Sequence, residues 1–193
     1  MQTLVVPEVQ VIRWTRHEYE RMADIGLFEG RRVQLIDGEI FETTPMREPH
    51  AVALVLSVER FSAICGNGYH LRVQTPLAVG GDSEPEPDVA IVRGDARAYV
   101  DAHPTTAVLV VEISDSTLRF DLGRKRTLYA AAGISEYWVL DLNARAMHIF
   151  RGLRPASETA AATYSEQTMV DETASVSPLA FPLARLVVRD LLP

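Results

Sequence analysis

Apolar residues along the chain recur in two periods, and the switches between them mark out the elements. Thr15 stands three residues before Glu18. That Thr-x-x-Glu spacing is a capping box, which predicts a short helix running to about Gly26. Arg32 to Ile36 and Glu39 to Glu42 are β-rich runs separated by Asp37-Gly38, a strong hairpin signal. From Pro49-His50 onward, Ala51, Leu54, Val55, Val58, Phe61 and Cys65 fall at helical spacing, with Gly66 as a stop. Three strands are predicted next, over Leu71 to Val79, Asp88 to Val92 and Ala107 to Ile113, separated by turn-rich segments. A second helix spans roughly Asp121 to Ala132 and stops at Gly133. Glu136 to Asp141 and Ala146 to Phe150 read as paired strands. Beyond Arg151 the pattern weakens: Tyr164 to Val170 and Ala174 to Val176 are weaker strands, and Pro182 to Leu192 is a terminal helix or strand. This order predicts an α/β (α+β mixed) fold, a central mixed β-sheet flanked by helices.

Size and composition narrow the classes. The 193 residues suit one domain with a full core and are too few for two comfortable ones. That domain is expected over 1–193, with a core of about 14–150 and C-terminal strands and tail over 151–193. Hydrophobic residues are 47% and charged ones 23%, which excludes disorder along the whole chain. The 26 acidic residues outnumber the 19 basic ones, for a net charge of −7. Coating of duplex nucleic acid by charge alone is thereby disfavoured, whereas a nuclease whose metal ions add local positive charge stays open. A single cysteine, Cys65, excludes an internal disulfide and is expected as a buried small hydrophobe. No apolar stretch approaches the ~20 residues of a membrane span. The start MQTLVVPEVQVIRW lacks a basic leader, so a cytoplasmic location and no membrane partner are expected.

Three positions interrupt apolar strands with charge. Asp88 opens Val89-Ala90-Ile91-Val92, where a carboxylate is costly unless solvated, paired or bound to metal. Glu112 closes Val108-Leu109-Val110-Val111, and period two puts Val108, Val110, Glu112 and Ser114 on one face. Antiparallel pairing of these two strands brings Asp88 and Glu112 together at one sheet edge. There they repel unless a cation lies between, and oxygen-only ligation suits Mg²⁺ or Mn²⁺. Lys125 shares a helical face with Asp121 and Tyr129, at i, i+4 and i+8. Bland readings stand beside these: a turn residue for Asp88, a solvated or salt-bridged strand end for Glu112, a surface ion pair for Asp121 and Lys125. Tyr137 and Trp138 read as core. His17, His70, His103 and His148 show no metal-ligand spacing, and neither a Walker loop nor a dinucleotide fingerprint is present.

Pro87-Asp88 followed by Glu112-Ile113-Ser114 resembles the PD-(D/E)XK nuclease signature. The wider resemblance is to the Uma-two family of endonucleases in that superfamily. It runs through Leu35-Ile36-Asp37-Gly38-Glu39-Ile40, His50, Pro87-Asp88-Val89-Ala90 and Val111 to Thr117. It continues with Asp121, Lys125, Tyr129 and Gly133 to Asp141. The block from Val111 to Asp141 is the most specific part.

The resemblance implies a restriction-endonuclease-like fold and hydrolysis of phosphodiesters, in DNA for preference, with one or two Mg²⁺ or Mn²⁺ ions. By position it makes Asp88 and Glu112 metal ligands, with the backbone carbonyl of Ile113 as an extra one. The signature lysine is replaced here by Ser114, which makes Lys125 the substitute. Gln34 stands where family members usually carry glutamate. His50 matches a family histidine at a helix start, able to contact a phosphate or a water, or simply to bond locally. Tyr129 supports the site by hydrogen bonding or by packing. Superfamily nucleases often act as dimers, so a homodimer is expected. The alternative is a catalytically weakened or inactive nuclease-fold protein serving as a binding or assembly module, which Gln34 and the acidic charge favour.

Overall fold

A computed structural model describes residues 11–43 and 45–193. Most of the N-terminal stretch used to exclude a signal peptide lies outside the described residues. Helix α1 (Arg16–Asp24) opens on the predicted capping box, with the Glu18 amide donating to Thr15 and the Glu18 carboxylate accepting from the Thr15 amide. Strands β1 (Val33–Ile36) and β2 (Glu39–Glu42) form the hairpin, pairing Ile36 with Glu39. Asp37 and Gly38 have φ of 50° and 73°. Two successive left-handed residues match the twist of the strands they join. A Cβ at Gly38 would lie 2.6 Å from that of Arg13, so only glycine fits there.

Helix α2 (Glu48–Ile64) starts with proline in its first turn, where the missing N–H costs nothing. It buries Ala53, Ser57 and Phe61, while Val55, expected on the inner face, is exposed. Apolar residues lie almost all round this helix, so periodicity alone does not choose a face. The small Ala53 and Ser57 let the backbone approach the sheet, and they define the inner line. Cys65, at the end of this helix, is half-buried rather than buried.

Six strands form one sheet in the order β3 (Tyr69–Val73), β4 (Val89–Arg93), β5 (Leu109–Ser114), β6 (Tyr137–Asp141), β7 (Ala146–Arg154), β8 (Thr163–Asp171). The three strands around Leu71, Asp88 and Ala107 are neighbours, as expected. β3 is shorter than predicted because Gln74 turns the chain at φ 46° and Pro76 follows. All pairs are antiparallel except β5 and β6. A parallel pair needs a crossover. It is made by α3 (Leu118–Phe120), a π-helical turn (Asp121–Lys125) and α4 (Arg126–Ala131), beginning three residues before the predicted start.

The alternation along β5 sorts two cores. Leu109, Val111 and Ile113 pack with α2, Trp138 and the C-terminal Leu191. Val110 packs with Tyr129 of α4, Tyr137 and Ile36 of the hairpin. Tyr137 and Trp138 are fully buried, as expected. The C-terminal chain contributes the short pair β9 (Ser175–Val176) and β10 (Leu186–Val187), then a 3₁₀ turn. Pro182 to Leu192 thus holds both a strand and a helical turn. No helix among the described residues is long and apolar enough to cross a membrane.

Candidate active site

Antiparallel pairing of β4 and β5 sets Val89 opposite Val111, so Asp88 arrives beside the end of β5. The two carboxylates meet at strand ends in the middle of the sheet rather than on an edge strand. Both are buried, Asp88 at 7% and Glu112 at 2% exposure. The π-helical turn delivers Lys125 to the same point, its Nζ 2.9 Å from Glu112 Oε1 and 3.8 Å from Asp121 Oδ1. Turns of this kind often mark functional sites. The surface-pair reading of Asp121 and Lys125 is excluded, since both are buried.

Every donor on Asp88 is fixed by a different element. The Ile113 amide donates to Oδ2 at 2.8 Å. His50 Nε2, from the first turn of α2, and Gln74 Nε2 both stand 3.0 Å from Oδ1. An ionised carboxylate only accepts, so His50 carries its proton on Nε2 toward Asp88. Tyr129 is a core residue and also a hydrogen-bond donor, its hydroxyl 2.7 Å from Glu112 Oε1. Asp121 accepts from Thr117 at 2.6 Å, and its main-chain carbonyl accepts from the Tyr137 hydroxyl. Ser114 is fully buried behind the site and contacts Thr117 at 3.4 Å.

These groups border a cavity of about 400 Å³, lined by Gln34, His50, Gln74, Asp88, Glu112 and Lys125 among others. Ser114 and Tyr129 stand behind this lining. Gln34 is buried, and its Oε1 accepts from the Glu86 amide at 3.4 Å. Arg124 of the π-helical turn ties the hairpin down over the site, bonding Glu39 at 2.7 Å, Asp37 at 3.2 Å and the Ile36 carbonyl at 3.1 Å. That clamp holds Gln34 of β1 and Phe41 of β2 against the helix that bears Lys125.

Charge in the site does not balance. Three buried carboxylates, Asp88, Glu112 and Asp121, face Lys125 and His50, so acids outnumber cations even with His50 protonated. Glu112 is raised to about 7: burial pushes it up most, Lys125 pulls it down, and Asp88 and Asp121 push it up. Burial also opposes ionisation of Asp88, but the His50 hydrogen bond and charge, with Lys125, outweigh it and hold Asp88 below its usual range. Burial would lower Lys125, yet Glu112, Asp121 and Asp88 together raise it, so it stays protonated. His50 is likewise raised, Asp88 outweighing its burial.

The donor set suits a hard divalent cation. Glu112 Oε1 takes both Tyr129 and Lys125, leaving Oε2 without a hydrogen bond among the described residues. Oxygen donors with excess negative charge are what Mg²⁺ or Mn²⁺ prefer. Among the described residues, no three or more His, Cys, Asp or Glu side chains gather into a metal cluster. Side chains would therefore supply two ligands here, with main chain, water and substrate completing the shell.

The structure brings together Gln34, His50, Asp88, Glu112, Asp121, Lys125 and Tyr129. Gln74 was not legible as a site residue. The sequence reading places it inside the strand expected over Leu71 to Val79. Its backbone takes the left-handed region and its amide donates to the Pro87 and Asp88 carbonyls, which aims its side chain at Asp88.

The fold is thus a mixed six-stranded sheet flanked by helices, with Asp88 and Glu112 at strand ends and Lys125 delivered from the crossover. Residues 16–189 match the family model Uma2, described as "Putative restriction endonuclease", and the chain belongs to this family. Its fold also matches a crystal structure described as "a putative nuclease belonging to DUF820" from Anabaena variabilis ATCC 29413. The TM-score is 0.73 at 13% identity, over 92% of this chain and 96% of that one. No curated protein matches the chain.

Proposed function

We propose that this protein is a divalent-metal-dependent nuclease that hydrolyses phosphodiester bonds in nucleic acid, DNA in the first instance. The observation that carries this reading is the convergence of Asp88, Glu112 and Lys125 on one cavity where buried acids outnumber cations. Asp88, Glu112 and the Ile113 carbonyl are the groups that would hold one or two Mg²⁺ or Mn²⁺ ions. When bound, such an ion supplies a Lewis acid and a water of lowered pKa. Lys125 holds a fixed positive charge beside the phosphoryl oxygens, where negative charge builds in the transition state. Asp121 keeps that lysine protonated and aimed. His50 and Gln74 fix the Asp88 carboxylate, and Tyr129 fixes that of Glu112. Gln34 offers an amide where the family usually places a carboxylate, so this site relies on two side-chain acids. One domain over 1–193, a homodimer and a cytoplasmic location belong to the same reading.

The test is cleavage of DNA by the purified protein with Mn²⁺, with Mg²⁺ or with EDTA, alongside Asp88→Asn and Lys125→Ala. Metal-dependent cleavage lost in Asp88→Asn is expected; cleavage that survives EDTA or Asp88→Asn overturns the assignment. A second reading, a nuclease-fold binding module, is favoured by two features: Gln34 removes a carboxylate from the set, and the chain carries a net charge of −7. It predicts nucleic-acid binding without turnover in any divalent ion.

A further inference from the structure

We infer that the cavity accepts an unpaired nucleotide of a single-stranded segment, its base against the Phe41–Phe120 wall and its phosphate beside Lys125 and the divalent cation that Asp88 and Glu112 would hold. This rests on the nuclease reading above and narrows its substrate. The two acids lie at the floor of a cavity of about 400 Å³, and each is less than one-tenth exposed. That volume falls near the small end of ligand pockets, roughly 300–1,000 Å³, a space for one nucleotide rather than for two paired strands. One wall is apolar. Phe41 and Phe120 line it with ring centroids 5.1 Å apart, and Met46, 38% exposed, extends it to the mouth.

A phosphodiester alone makes no use of such a wall, whereas a base has an apolar face that aromatic rings stack on. Enzymes that must bring a nucleotide into a pocket act on single strands or extrude it from the helix. The wall is held in place: Arg124 lies over the Phe41 ring at 4.7 Å while bonding the hairpin, so hairpin and helix do not part easily.

The rim points the same way. Duplex binding draws on many phosphate contacts made by free Lys and Arg side chains. Here Arg32 pairs with Glu86 at 3.3 Å and Arg47 with Asp115 at 3.4 Å. The mouth is thus neutralised locally on a chain of net charge −7. Affinity is left to the cavity, through one stacked base and, at the phosphate, Lys125 and the divalent cation that the acids would hold.

The test is fluorescence anisotropy with Ca²⁺ present, using a labelled single-stranded DNA, the RNA of the same sequence and the DNA duplex. Wild type, Phe120→Leu and Met46→Ala are compared, with melting temperatures in parallel. Met46 is exposed, so its replacement leaves folding intact even if Phe120→Leu does not. We expect a single strand to bind about tenfold or more tighter than the duplex, and each variant to lose about three- to tenfold on the strand alone. The DNA and RNA arms identify which backbone is preferred. Duplex binding as tight as either strand, or strand binding untouched by both variants, overturns the inference. If Mn²⁺-dependent cleavage persists in that case, the nuclease reading stands; if no nucleic acid is bound or cut, both fall.

Discussion

Two glutamates are buried at opposite ends of the parallel pair β5 and β6, and they have opposite surroundings. Glu136, fully buried just before β6, is saturated with donors. Arg151 approaches Oε1 at 2.6 and 2.7 Å, the Trp138 indole donates to it at 2.9 Å, and the Leu179 amide donates to Oε2 at 2.7 Å. Arg151 in turn donates to the Ser177 carbonyl, so this carboxylate staples the C-terminal chain to the sheet. Glu112 shares its one lysine with Asp121 and has Asp88 for a neighbour. Burial of charge alone therefore does not identify a reactive centre. A balanced cluster holds the fold together, and an unbalanced one facing a cavity stores repulsion that a cation relieves.

The comparison can be broken at several points. Glu136→Ala strands Arg151, and unfolding by urea should show a loss of about 3 kcal/mol. The response of the remaining folded protein to Mn²⁺ should be unchanged. Glu112→Gln keeps the acceptor for Tyr129 while removing repulsion, so stability without metal should change by less than about 1 kcal/mol at neutral pH. Its cleavage rate should nonetheless fall about 100-fold or more. If Glu112→Gln proves as destabilising as Glu136→Ala, the contrast fails.

Smaller effects are expected from the groups that hold Asp88. Gln74→Ala should weaken Mn²⁺ binding about tenfold, as measured by calorimetry, because it frees the carboxylate to turn. Its pH profile should keep the wild-type shape, whereas loss of His50 should shift it. A pH series sharpens the same point. Glu112 binds its proton more tightly folded than unfolded, with a value raised to about 7 from 4.5. His50 is raised as well. Their contribution to the metal-free protein is complete at low pH and is lost as pH rises through these values. A cation needs the deprotonated carboxylate, so stabilisation by Mn²⁺ should grow from about pH 5 to about pH 8.

Much of this architecture was legible from the chain. The Thr15–Glu18 box, the Asp37-Gly38 turn and the alternation along β5 each encode a local conformation, and local rules suffice for them. The convergence of Asp88, Glu112 and Lys125 also followed, because one antiparallel pairing and one helical face bring them together. The inner face of α2 did not follow, since apolar residues surround that helix and tertiary packing selects the line through Ala53. Gln74 and the Glu136 staple escaped notice for another reason. Asp88 lies 14 residues from Gln74 and Leu179 lies 43 from Glu136, joined by turns whose direction no local pattern specifies. The Phe41–Phe120 wall is hidden in the same way, because it forms only when Arg124 docks the hairpin on the crossover.

Thermal unfolding under Mn²⁺ titration tests the imbalance most directly. At an ion concentration about 100 times Kd, wild type should gain roughly 5–10 °C in Tm at pH 7.5. Asp88→Asn and Glu112→Gln should gain almost nothing, and a Glu136 variant should gain as much as wild type. An equal rise in wild type, Asp88→Asn and Glu112→Gln would place the ion elsewhere and contradict the assignment of these carboxylates as the metal site.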